Sequence, residues 1–176
     1  MESYRREYEF SLSSILSFVW RGIVVGCAAG IVVSLFRLLI AKIFAQVVKY
    51  YQLSHENPSL LGLILLVSVI VVLEIGFLVK SDPDIKGSGI PHAEGEFKGL
   101  LHPDWWSVLW KKFLGGTLAI SMGFMLGREG PSIQLGAMAG KGVAKTLKAQ
   151  RMEQRVLIAS GAAAGLSAQS QKSQTC

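Results

Sequence analysis

The sequence has few cysteines: of its 176 residues, only Cys27 and Cys176 carry a thiol. One lies inside an apolar run and the other is the last residue, so neither a disulfide framework nor a cysteine zinc site is predicted. The first segment, "MESYRREYEFSLSS", lacks a small-residue cleavage site and does not match a removable signal peptide. Charged residues are scarce at 17%, whereas 51% of the residues are hydrophobic. This composition favours a membrane protein over a soluble domain.

Acidic residues are outnumbered, with 12 aspartates and glutamates against 18 lysines and arginines and a net charge of +6. The basic excess lies near the N-terminus and between Lys141 and Arg155. Because the intervening segments consist of Val, Ile, Leu, Gly and Ala, the excess is more typical of the positive-inside rule than of a nucleic-acid-binding face. We therefore expect no nucleic-acid partner. Residues 1–11 and the segment from Lys141 to Arg155 are expected in the cytoplasm.

No uncharged run reaches the 18 residues of an ordinary membrane-spanning helix, although apolar segments dominate. The pattern predicts helices of uneven length, some of which begin or end within the bilayer. Their expected ranges are 12–53, 60–79, 91–97, 107–126, 131–148 and 152–168, followed by a polar tail at 169–176. The predicted fold class is all-α, and the predicted protein is a multi-pass membrane protein.

Glycines recur at four-residue spacing in three of these helices: at 22, 26 and 30, at 136 and 140, and at 161 and 165. Small residues at this spacing allow helix backbones to approach closely, so we predict tight helix packing at each of the three faces. Arg21 and Arg37 interrupt the first apolar run and are expected to snorkel or to face an interface.

The break "GSGIP" at 87–91 separates two apolar segments. Gly87 and Gly89 permit a sharp turn, Ser88 offers a hydroxyl group, and Pro91 favours the first position of a helix. Free amide groups and a partial positive charge lie at the start of a helix, so an anion could bind there. The alternative that Ser88 is an ordinary turn or cap residue remains open.

The break "GREGP" at 127–131 repeats this arrangement with Glu129 as the functional side chain. A carboxylate at the start of a helix can occupy the position of a permeant anion, so Glu129 is interpreted as a tethered competitor. Arg128 would offset its charge and raise the local positive potential. The alternative is that Glu129 only stabilises the helix dipole and that Arg128 pairs with it.

A metal-dependent membrane enzyme is another interpretation, since His92, Glu94, His102 and Asp104 are potential ligands. Their spacing matches no closed zinc site, and turn-forming residues separate the two pairs. We therefore predict no catalytic residues and no metal or other cofactor.

The segments "GSGIP" at 87–91, "GREGP" at 127–131 and "SGAAAGLSA" at 160–168 resemble the CLC family of chloride channels and chloride/proton antiporters. They occur in the order of the family and at about its spacing, and the resemblance extends over residues 12–168. It implies chloride transport, possible proton coupling, a cell-membrane location, and a homodimer with one anion pathway per subunit. Each subunit of such a protein is built from two inverted halves of tilted helices.

The resemblance also implies site residues. Ser88 matches the serine that coordinates the central anion, and Glu129 matches the gating glutamate that competes with chloride. The complete set of predicted anion-binding residues is Gly87, Ser88, Gly89, Ile90, Pro91, Gly127, Arg128, Glu129, Gly130 and Pro131.

The chain departs from the family after Ala168, where relatives continue with an apolar helix and a complete second half. Here the sequence becomes polar at Gln169 and ends at Cys176. Residues 12–168 are therefore expected to form the N-terminal half of a CLC transmembrane domain, and a frameshift or premature stop is one interpretation of the tail. Such a chain is expected to be inactive alone. The alternative is a nonfunctional or regulatory fragment that associates with full-length subunits.

Overall fold

The computed structural model describes residues 12–54, 58–87, 89–97, 103–124 and 127–170. Within these ranges the chain is helical and has no strand, which confirms the predicted all-α class. Helix lengths run from 8 to 42 residues. The helices are α1 (Leu12–Leu53), α2 (Pro58–Ser81), α3 (Ile90–Phe97), α4 (Trp105–Ser121), α5 (Glu129–Thr146) and α6 (Arg151–Ser170), with a 3₁₀ turn at Pro83–Ile85.

Two of the helices are long and apolar enough to cross a bilayer, α1 over Leu16–Leu53 and α2 over Leu61–Ser81. Little of α2 is covered by the rest of the chain, and Leu73 and Phe77 on it are 67% and 74% exposed. An exposed apolar surface of this extent is what a lipid-facing helix presents. The predicted N-terminal tail at 1–11 lies outside the described residues. The predicted polar tail begins within α6, which continues to Ser170.

The predicted boundaries of α4 and α5 were wrong by a few residues. We expected α4 to reach residue 126, but it ends at Ser121 because Gly123 adopts a left-handed φ of +85°. The N–H of Gly123 then bonds the carbonyl of Ile120 and the N–H of Phe124 bonds that of Ala119, which closes the helix. We expected α5 to begin at Pro131, but it begins two residues earlier at Glu129. The first turn of α5 therefore contains Glu129 itself.

The close packing predicted for the glycines of α5 and α6 is confirmed. A Cβ atom added to Gly136 would overlap the carbonyl oxygen of Gly161, and one added to Gly165 would overlap the carbonyl oxygen of Ser132. Gly140 lies against the backbone of Leu157 in the same way. The two helix backbones are thus in direct contact, and most of α5 is buried.

The close packing predicted for the glycines of α1 is not formed within the described residues. A Cβ atom at Gly22, Gly26 or Gly30 would meet nothing within 4 Å. The reason is that α1 packs through an adjacent face of larger side chains at helical spacing. The buried residues of this face are Val25, Ala29, Val33, Phe36 and Ile40.

Of the two roles expected for the arginines of α1, snorkelling or facing an interface, both residues show the second, because they bind α6. Arg21 forms an ion pair with Glu153, with Nη1 2.6 Å from Oε2, in the first turn of α6. Arg37 donates a hydrogen bond to the carbonyl oxygen of Ala168 near the other end of α6. Carbonyl groups in the last turn of a helix lack intrahelical partners, and a cation there also complements the helix dipole. The two contacts hold α6 parallel to α1.

Replacing Gly136 with alanine tests the contact between α5 and α6. We expect Gly136→Ala to lower stability by about 1–3 kcal/mol, because the added methyl group forces the helices apart. In the matched control, Gly26→Ala, the methyl group meets no atom and the better helix propensity of alanine leaves stability unchanged or raises it by up to about 1 kcal/mol. Thermal unfolding in detergent, followed by circular dichroism, measures both. Equal melting temperatures for the two variants would contradict the close contact.

Candidate functional site

A cavity of about 530 Å³ lies among α2, α4, the start of α5 and the turn that connects α2 to α3. Residues from both glycine-rich breaks line it, so the fold brings together two segments that are separated in sequence by α4. Apolar side chains of α2 and α4 form most of the remaining wall, and Lys86, Lys111 and Lys112 also line it. The lining residues from the two breaks are Gly87, Ile90, Gly127, Glu129, Gly130 and Pro131.

The second break places the amino end of α5 at this cavity. Glu129 is the first residue of the helix and is exposed, whereas Gly130 and Pro131 behind it are buried. Arg128 is the N-cap residue, but its side chain makes no capping hydrogen bond. The first amide groups of a helix have no intrahelical acceptor, so the partial positive charge of α5 is directed towards the cavity beside the Glu129 carboxylate.

Arg128 does not line the cavity and is exposed. Among the ion pairs of the described residues, none joins the Arg128 guanidinium to the Glu129 carboxylate. The interpretation in which the two residues simply pair is therefore not realised here. The role of Arg128 in raising the local potential stays a prediction.

The first break adopts the sharp turn that its glycines predicted. Gly87 and Gly89 have φ of +65° and +81°, in the left-handed region that other residues rarely adopt. α3 begins at Ile90, so Pro91 occupies the second helical position, and it is not among the residues that line the cavity. Ser88, the predicted anion ligand, lies outside the described residues.

Lys112 belongs to the site, although the sequence pattern did not predict it as a site residue. It lies on α4, is 6% exposed, and donates hydrogen bonds of 2.7 and 2.8 Å to the carbonyl oxygens of Ile85 and Gly87. These carbonyls belong to the turn that leads into the first break. A buried ammonium group with two carbonyl acceptors holds this turn in place and adds positive charge to the cavity wall. The sequence signal was the pair of adjacent lysines in an apolar helix.

Gln134 holds the same turn from the α5 side. Its Nε2 donates a 2.9 Å hydrogen bond to the carbonyl oxygen of Asp84, and its side chain is buried against the Cα of Gly89. A Cβ atom at Gly89 would lie 2.8 Å from both Cβ and Cδ of Gln134. The first turns of α5 and the first break are therefore in direct contact, and only glycine fits at position 89.

Asp82 anchors the beginning of the turn. Its carboxylate accepts hydrogen bonds from Ser107 Oγ at 2.7 Å and Lys111 Nζ at 3.3 Å, and from the N–H of Asp84 at 3.3 Å. Burial acts to raise the pKa of this carboxyl group. The hydrogen bonds from Ser107 and Lys111 and the charge of Lys111 outweigh burial, so the pKa of Asp82 is lowered from its ordinary value.

The alternative metal site is only partly described. His102 and the side chain of His92 lie outside the described residues, while Glu94 is exposed on α3 and Asp104 precedes α4. The metal-dependent interpretation therefore stays untested.

The two glycines of the first break provide a matched pair of substitutions. We expect Gly87→Ala to lower stability by about 1 kcal/mol, the cost of placing alanine in a left-handed conformation. A Cβ atom there meets nothing within 4 Å, so no steric cost is added. Gly89→Ala has the same backbone cost, and its methyl group must also displace Gln134. We therefore expect it to lower stability by about 1–3 kcal/mol more. Thermal unfolding in detergent measures the difference. Equal destabilisation by the two variants would show that Gln134 does not pack on Gly89.

The neighbouring lysines of α4 provide a second pair. Lys112→Met leaves the carbonyls of Ile85 and Gly87 without a donor, so we expect faster amide hydrogen exchange across residues 85–90, by about tenfold or more. Lys111→Met is the control, because Lys111 binds Ser81 and Asp82 instead. Because its contacts are with Ser81 and Asp82, before this segment, Lys111→Met should raise exchange across residues 85–90 by much less than Lys112→Met does. A similar increase in both variants would argue against a specific role for Lys112.

Three comparisons with known proteins agree on one family. A sequence model of the family described as "Voltage gated chloride channel" matches residues 69–169. The chain is 31% identical over 159 residues to the H(+)/Cl(-) exchange transporter ClcA of Vibrio vulnificus strain YJ016, covering 89% of this chain and 34% of the relative. It is 35% identical over 156 residues to ClcA of Salmonella schwarzengrund strain CVM19633, covering 87% of this chain and 33% of that one.

A solved structure also resembles the fold. The crystal structure of a slow cyanobacterial Cl-/H+ antiporter superimposes with a TM-score of 0.79 and 34% sequence identity. The match covers 86% of this chain and 36% of the antiporter. The chain thus spans about a third of the length of the relatives that it matches.

Proposed function

Because the chain belongs to the voltage-gated chloride channel family, or CLC family, we propose that it forms part of a pathway that carries chloride across a membrane. The observation that carries the proposal is the cavity that Gly87 and Ile90 line together with Glu129, the first residue of α5. An anion in this cavity would be attracted by the partial positive charge of the helix and by the buried ammonium of Lys112. Ser88 is proposed to supply a hydroxyl donor from the first break.

Glu129 is proposed to act as the gate. Its carboxylate lies where the helix dipole favours a negative charge, so it competes with chloride for the same position. Protonation removes the charge of the competitor and displacement moves it aside, and either event admits the anion. Coupling of proton movement to chloride movement would follow if Glu129 takes up a proton each time chloride enters. A channel and a chloride/proton exchanger can share this arrangement, and both remain within the proposal.

The proposed setting is a multi-pass protein of the cell membrane. α1 and α2 supply two helices long enough to span, and the shorter α3 and α5 place their amino ends at the cavity. The proposed assembly is a homodimer, as the family resemblance implies. Residues 1–11 and the segment from Lys141 to Arg155 are proposed to face the cytoplasm.

Chloride binding to the purified chain tests the proposal. Removing the competing charge by Glu129→Gln should raise the chloride affinity at neutral pH by about tenfold or more. Two like charges about 4 Å apart repel by about 1 kcal/mol in water and about 4 kcal/mol near a protein surface, and about 1.4 kcal/mol corresponds to tenfold in affinity. Isothermal titration calorimetry in detergent measures the affinity.

The control is Glu74→Gln, which removes an exposed carboxylate of α2 that lines a different groove. Chloride affinity should not change in this variant. If Glu129→Gln and Glu74→Gln both bind chloride with the same affinity as the wild type, Glu129 does not compete for the anion and the proposed gate is wrong.

A further inference from the structure

The turn between α5 and α6 carries an unusual set of cations. We call Lys145, Lys148, Arg151 and Arg155 the basic tip; all four are exposed. Glu153 is the one acid between positions 145 and 155 in the sequence, and its carboxylate is already bonded to Arg21 and to the N–H of Gln150. No member of the basic tip forms an ion pair within the described residues. The tip therefore presents four positive charges that the described part of the chain does not neutralise.

One of these cations is held in an unfavourable backbone conformation. Lys148 has φ of +50°, and its N–H bonds the carbonyl of Lys145 while the N–H of Ala149 bonds that of Ala144. This is the helix-ending motif in which glycine is normally preferred at the left-handed position. Lysine at this position costs stability that glycine would not. The presence of lysine here points to a use for its charge.

Tryptophans mark the level of the membrane interface close to this turn. Trp105 lies against Gly142 of α5, the adjacent Trp106 is 59% exposed, and Trp20 is 65% exposed beside the Arg21 that contacts α6. Exposed tryptophans are enriched where acyl chains meet headgroups. Lys145 lies about 4.5 Å further along α5 than Gly142, at a helical rise of about 1.5 Å per residue, and Lys148 follows just after the helix ends at Thr146. This distance places the basic tip at the level of the headgroups.

Apolar side chains lie between the cations of the tip. Met152 is 74% exposed, and Val156 and Leu147 are 46% and 37% exposed. Cations alternating with exposed apolar residues suit a surface that contacts phosphate groups and the upper part of the acyl chains at once. A small inorganic anion would gain nothing from the exposed methionine and valine.

We propose that the basic tip binds the headgroups of anionic phospholipids and anchors the α5–α6 pair at one membrane surface. The phosphate and the net negative charge of the headgroup are the chemistry recognised, and the apolar side chains insert between lipids. The site is separate from the cavity at Glu129, and it does not depend on chloride binding or transport. Because α5 also carries Glu129 at its other end, the lipid contact and the cavity lie at opposite ends of one helix.

Quenching of tryptophan fluorescence by brominated lipid tests the proposal locally. The four tryptophans, Trp20, Trp105, Trp106 and Trp110, lie on the helix segments near the tip. The full chain is reconstituted in phosphatidylcholine bilayers that contain either brominated phosphatidylglycerol or brominated phosphatidylcholine. We expect phosphatidylglycerol to be preferred by roughly fivefold or more, which is the scale set by the attraction of one basic residue to an anionic surface. High salt should weaken this preference.

Two variants remove charge from the tip without removing a folding contact. Arg151→Gln/Arg155→Gln should lower the preference by about fivefold or more, and loss of Arg151 also relieves a positive charge at the start of α6. Lys148→Gly removes one charge and the backbone strain together, so it should raise the melting temperature while lowering the preference by up to about fivefold. The control Lys42→Gln/Lys49→Gln removes two exposed cations near the far end of α1. It should retain the wild-type preference.

The possible results separate lipid binding from the alternatives. Equal quenching by the two brominated lipids in the wild type, or an unchanged preference in both tip variants, would overturn the proposal. If Lys42→Gln/Lys49→Gln loses as much of the lipid preference as the tip variants do, the preference reflects net charge alone. That result would also overturn the proposal. Millimolar inorganic phosphate, added at constant ionic strength, should not displace the lipid. If it does, the tip is a site for free phosphate and the lipid assignment is wrong.

Discussion

Gly136 and Gly140 of α5 lie directly against Gly161 and Gly165 of α6, and this backbone contact determines where the amino end of α5 can be. Side chains larger than hydrogen would separate the two helices and move Glu129 relative to the first break. The position of α6 is in turn set by α1, through Arg21 at one end and Arg37 at the other. The site is thus positioned by helices that do not themselves line it.

The cavity depends on a second set of contacts, which satisfy polar groups in an apolar setting. A turn rich in glycine leaves backbone carbonyls without helical partners, and within a membrane protein each unbonded carbonyl is costly. Lys112 bonds the carbonyls of Ile85 and Gly87, and Gln134 bonds that of Asp84. These side chains come from α4 and α5. The irregular backbone of the first break is therefore stable only when both helices are packed around it.

The charges of the chain fall into two groups with different surroundings. Buried or half-buried charges such as Lys112 and Lys141 are bonded to carbonyls or carboxylates of the chain. The cations of the basic tip have no such partner within the described residues, and they project from the end of a helix pair. A charge that lacks a partner inside the protein is stable at a surface where water or lipid phosphate solvates it.

The sequence by itself determined the helical class, the extent of α1 and the two breaks, because apolar periodicity, glycine and proline act locally on the backbone. It could not determine that α5 begins at Glu129, that the glycines of α1 contact no other helix within the described ranges, or that Lys112 holds the first break. Those features depend on which helices become neighbours. The tertiary structure decided them, because a polar group in an apolar environment is stable only with a partner, and the partners of Lys112, Gln134, Arg21 and Arg37 lie on other segments.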